Sequence, residues 1–207
     1  LPAKVGKKVN GVNTFFSINN ASASAAAAHV TIWSDLGVPV INFDLYLTGY
    51  DVQRISMVDL LNGVFPLSAD AGSDPTNKTS PKGPLSQDIN FPGSTGPCGS
   101  AATVYAEPLP TASVEHIRAA LTGKASPLFG TCFGLDHGDK KPIARGYVTV
   151  DAVTQCTVMN PGEPGYFNGF VADDRNILWG DYEIVDKSKK VAISDALVHV
   201  RSERNDP

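Results

Sequence analysis

The sequence predicts an all-β domain, mostly antiparallel, built as a sandwich or jelly roll with one or two short helices and long loop insertions. Three observations lead there. Ile41, Phe43, Leu45 and Leu47 alternate with Asn42, Asp44, Tyr46 and Thr48 over residues 40–49, the two-residue period of a strand with one face on a core. The 207 residues include 19 Gly and 15 Pro, so turns are frequent and long helices few. Apolar content is 42% and charged content 18%, which suits a packed core and excludes a disordered polyelectrolyte. A chain of this size buries roughly 70% of its unfolded surface, so one core suffices without metals or many disulfides.

Residues 1–13 carry Lys4, Lys7 and Lys8 and no acid. They read as a basic N-terminal arm or an edge strand. Val5, Lys7, Lys8 and Val9 are its candidate assembly residues, because an extended segment adds to a neighbour's sheet edge through main-chain hydrogen bonds. Residues 14–20 and 28–35 read as strands, Val30 and Ile32 sharing one face and Thr31 and Trp33 the other. A sheet of such alternating strands is antiparallel with one solvated face. Residues 51–63 fit either a short helix ending at Gly63 or an extension of the strand before it. Residues 66–100 hold eleven Pro and Gly and no periodicity, and read as a loop insertion within a single domain spanning 1–207.

A helix is expected over about 113–122, capped by Ser113, with Val114, Ile117 and Leu121 on one face and Gly123 at its end. A hairpin-like turn at Asp136–Asp139 precedes a strand over 143–154, with Val148, Val150 and Ala152 on one face. Residues 177–186 and 191–200 form a last hairpin over Lys187–Lys190.

The segments LYLTGYDVQ (45–53), ARGYVTVDAV (144–153) and ILWGDYEIVD (177–186) resemble segments of uncharacterised secreted bacterial β-rich proteins. The resemblance implies export and a β-rich fold and carries no activity. Low charge and abundant Gly, Ser, Thr and Asn point the same way, to a secreted or cell-surface protein. The chain starts at Leu1, which the export reading takes as a leader already removed. Cys98, Cys132 and Cys156 suggest one disulfide and one free thiol, the pairing open. Their spacing suits no structural zinc site. Net charge is −4, which excludes a general nucleic-acid binder, and no run of 18 apolar residues exists to span a membrane.

Chemistry is sparsely signalled. Cys98, in GPCGSA (96–101), partly resembles the papain-like nucleophile segment but lacks its second Cys and Trp. A disulfide or buried thiol accounts for it better. No serine-hydrolase elbow, zinc-protease or nucleotide-loop motif occurs. His29, His116, His137 and His199 share no ligand spacing, read as surface or strand-edge residues, and no metal site is assigned. No cofactor is expected, calcium being the one candidate, at Asp136–Asp139 and Asp173–Asn176, where turn formation explains the residues equally well. A sugar platform could use Asn42, Asp44, Tyr46 and Trp179, but Trp33 and Trp179 are better core residues. The favoured reading is a secreted structural, matrix or surface protein and not an enzyme. It self-associates into a homo-oligomer or filament by strand addition. A carbohydrate- or ligand-binding module is the alternative, and a hydrolase with an unrecognised site the distant one.

Overall fold

Alternating strands become two stacked sheets. The computed structural model describes residues 3–4, 11–24, 26–47, 49–64, 109–139, 142–155, 157–169 and 171–200. The chain order is β1 (Ala3–Lys4), β2 (Val12–Asn20), β3 (Ala26–Ser34), β4 (Pro39–Leu47), β5 (Val52–Ser56), α1 (Met57–Leu60), α2 (Thr111–Leu121), β6 (Ile143–Ala144), β7 (Gly146–Val153), β8 (Leu178–Asp186) and β9 (Val191–Ala196). One sheet has the order β5-β2-β8-β9, the other β4-β3-β7, and β1 pairs with β6 in a small third sheet. Every pairing is antiparallel. The architecture is thus the sandwich expected.

The core lies between the two larger sheets. Phe16 and Ile18 of β2 meet Val30 and Ile32 of β3 and Phe43, Leu45 and Leu47 of β4. One side of this layer is closed by helices: Met57, Val58 and Leu61 around α1 join Val114, Ile117 and Leu121 of α2 in the same cluster. Residues 51–63 satisfy both readings, a strand running into a helical turn, which Gly63 ends at φ +79°. No helix among the described residues is long and apolar enough to cross a membrane.

Several expectations need correction. Helix α2 begins at Thr111, one turn's fraction earlier than a Ser113 cap implies. Pro110 starts it, and the Ser113 N–H is spent on the Pro110 carbonyl at 2.9 Å. Its end is as expected: Gly123 takes φ +70° and the Lys124 N–H returns to the Ala119 carbonyl. The turn at Asp136–Asp139 is an Asx turn, with Asp136 accepting from the Gly138 N–H, but it joins no two paired strands. Loop 66–100 lies outside the described residues, as do Val5, Lys7, Lys8 and Val9 of the arm. The start of the arm, Ala3–Lys4, pairs with β6 of its own chain, the arrangement opposed to docking on a neighbour.

Candidate functional site

Among the described residues one sheet has a strand fewer than the other, and the side of the sandwich away from the helices is open. The surplus strand is β9, all six of whose residues are exposed. Register gives its faces. Tyr182 packs on the core and pairs with Asp195, and Ile184 pairs with Ile193, so Val191, Ile193 and Asp195 share the inward face. Val191 and Ile193 are nevertheless 48% and 60% exposed, and the other sheet has no fourth strand among the described residues to lie across from them.

Beside the Asp195 end of β9 lies a cleft of about 790 Å³, which Val191 and Ile193 do not line. Val148, Val150 and Ala152 of β7 form one wall, and Leu178, Gly180 and Tyr182 of β8 the other. Phe16 and Ile18 make the floor, and the segment from Asp195 to Val200 runs along the rim. Gly180 is required here. A Cβ would strike the Ser17 carbonyl oxygen of the neighbouring strand and crowd the Leu197 side chain that covers it.

The backbone of β7 adds directional chemistry to this apolar surface. The Asp173 N–H donates to the Ala152 carbonyl at 2.7 Å from outside the sheet. Ala152 therefore turns its backbone groups away from β3, and the alternation of a strand turns those of Val150 and Val148 the same way. Beyond them β7 has no paired strand among the described residues. Two donors and two acceptors thus line an edge whose side chains already point into the cleft. The far end carries the Asp173–Arg175 ion pair, in which the carboxylate's hydrogen bond holds the guanidinium pKa above its ordinary value.

The outer face of the three-stranded sheet differs from expectation. Of the polar positions of strand 40–49, Asp44 is buried and Asn42 half-buried, while the Tyr46 side chain and Thr48 lie outside the described residues. His29, Asp44 and Asp151 stand side by side on β3, β4 and β7, and His29 and Asp44 are fully buried. The His29 Nδ1 lies 2.7 Å from Asp44 Oδ1, while Asp44 Oδ2 accepts from the Thr157 N–H at 2.9 Å. The Tyr166 O–H donates to Asp151 Oδ2 at 2.9 Å, and its ring lies 5.8 Å from that of His29. Residues 157–169 therefore cover this face. Burial pushes the Asp151 carboxyl up, against the lowering hydrogen bond from Tyr166 and the nearby His29. Burial likewise pushes the Tyr166 hydroxyl up, helped by the Asp151 carboxylate. His29 Nε2 and Thr31 Oγ1 are buried without a partner among the described residues. Within the row His29 and Asp44 are fully buried, while Asp151 is half-buried and also lines the cleft.

The sugar platform does not assemble. Asp44 is buried against His29, Asn42 donates to the Val158 carbonyl and Asn160, and the Tyr46 side chain lies outside the described residues. Trp179 projects from the outer face of the other sheet and is 55% exposed, so it belongs neither with them nor to the core. Trp33 is also not core: it stacks on Tyr147 at 5.9 Å and donates to Thr149 Oγ1. His29 and His116 are buried, not surface, residues, and burial lowers the His116 pKa. The calcium candidates hold arginines instead, Asp139 with Arg145 and Asp173 with Arg175. The described residues contain no group of three or more His, Cys, Asp and Glu suited to a metal. Cys132 is an exposed free thiol. Cys98 and Cys156 lie outside the described residues, and no disulfide joins the described ones.

Sequence reasoning identified the shared face of Val148, Val150 and Ala152 but not its cleft, which depends on strand order. It also missed the His29–Asp44–Asp151 row. A signal was present, since each of three strands carries a single acid or histidine, at a position alternate to its apolar residues. No protein-family description, curated protein or solved structure matches the chain.

Proposed function

We propose that this chain is a structural assembly domain whose open side accepts a β-strand from a second copy of itself. The observation that carries the reading is the edge of β7, which has no paired strand beside Val148 and Val150 among the described residues and runs along an apolar cleft. An added strand gains main-chain hydrogen bonds from the edge, and its alternate side chains fill the cleft. Natural sheets blunt or cover long edges, so an uncovered edge next to exposed core residues favours a role in association. The composition supports a site of action outside the cell. A small apolar ligand is the second reading, because the cleft volume falls within the range of small-molecule sites. The paired donors and acceptors along one strand favour the peptide backbone.

Sedimentation equilibrium tests this. The average mass is expected to rise above 21.8 kDa with concentration. Val150→Pro is the informative variant. Its N–H points to the free edge, the one place in a sheet where proline is tolerated, so the β3–β7 ladder survives. It is expected to weaken association at least tenfold with the fold retained. A wild-type protein monomeric at every concentration, or a variant that associates equally well, contradicts the proposal.

A further inference from the structure

Resting on that reading, we propose that the entering strand is β9 of the second copy and that the exchange is reciprocal, giving a closed two-fold dimer. The molecule presents a step. Among the described residues the sheet β5-β2-β8-β9 has one strand more than β4-β3-β7, and β7 and the end of β9 line one cleft, so the edges of β9 and β7 that have no paired strand there lie on the same side. Two such steps interlock about a two-fold axis running between them. Each β9 then lies beside the partner subunit's β7, and the inward faces of the two β9 strands meet. Two seven-stranded sheets result, each β4-β3-β7 continued by the partner subunit's β9, β8, β2 and β5.

Among the described residues each copy has one strand more on one sheet and one place vacant on the other, so a second copy satisfies both at once. The surface is used by both subunits, as an isologous interface requires, and it closes instead of growing. Val191 and Ile193, exposed in the single chain, become buried. Asp195 is the acid on that inward face. An inward charge on an edge strand suppresses open-ended pairing, which favours one specific partner over a fibre.

The test uses the full chain in four forms: wild type, Val150→Pro, Ile193→Asp and Asp195→Asn. Ile193 is 60% exposed in the single chain, so its replacement leaves the melting temperature of the dilute monomer nearly unchanged. The wild-type mass is expected to level off at a dimer. Ile193→Asp should weaken dimerisation by on the order of a hundredfold, since it places a charge in both junctions. Asp195→Asn should tighten it. Mixing Val150→Pro with Ile193→Asp should restore part of the association, because the mixed dimer has one intact junction. If wild type associates and Val150→Pro abolishes it while Ile193→Asp does not, strand acceptance stands and β9 is not the donor. Mass growing past a dimer contradicts reciprocity. A monomer throughout contradicts both, as does a β7 edge protected from solvent by the chain's own residues.

Discussion

Asp44→Ala is expected to destabilise the protein by about 3–5 kcal/mol, the cost of breaking a buried pair by removing one partner. The carboxylate holds His29 Nδ1 with one oxygen and the Thr157 N–H with the other. Removal strands a fully buried imidazole and frees the start of the segment that covers the sheet. Thermal or denaturant unfolding measures the loss, and a change below about 1 kcal/mol is within the range of an ordinary substitution and contradicts the pairing. Asp44→Asn keeps an acceptor and should lose less. Asp151 is expected to make the stability depend on pH. Its folded-state pKa is raised, so its contribution is fully present below the ordinary carboxylate pKa and is lost as pH rises through the raised value. Asp151→Asn retains an acceptor for Tyr166 and should remove that decline, gaining stability relative to wild type at neutral pH.

Phe16→Ala should cost about 3–5 kcal/mol as well, by a different route. Phe16 is 2% exposed and belongs to the core cluster, and it also forms the floor of the cleft. Truncation joins a new cavity to the existing opening, so water enters where an incoming strand should find apolar surface. Chemical denaturation gives the stability loss. Sedimentation at a temperature where the variant stays folded is expected to give weakened association in addition. Full-strength association in the folded variant would mean that the cleft floor takes no part in strand acceptance.

The fold was largely legible because local patterns carried it. Alternation at 40–49, at 143–154 and in the last hairpin produced β4, β7, β8 and β9 near their observed bounds. The face of Val114, Ile117 and Leu121 is buried as its spacing implies. What the pattern could not carry was which polar face stays wet. Asn42 and Asp44 alternate like surface residues, yet residues 157–169, remote in sequence, lie over them. Trp33 and Trp179 failed for the same reason: an aromatic residue reads as core until strand order puts its face outside. The cleft was invisible in sequence because it follows from how the strands pair, three in one sheet and four in the other among the described residues, a property of long-range pairing. The arm had a real tendency to extend, but its first residues found an edge at β6 in their own chain.

The most direct measurement is amide hydrogen exchange along β7 at two protein concentrations. Thr149 and Asp151 turn their N–H groups toward β3, opposite to Val148 and Val150, and serve as the internal reference. The account predicts slow exchange at Thr149 and Asp151 throughout, with Val148 and Val150 fast in dilute solution and slow when concentrated. Exchange at Val148 and Val150 that stays fast at high concentration, or is already slow in the dilute monomer, contradicts it.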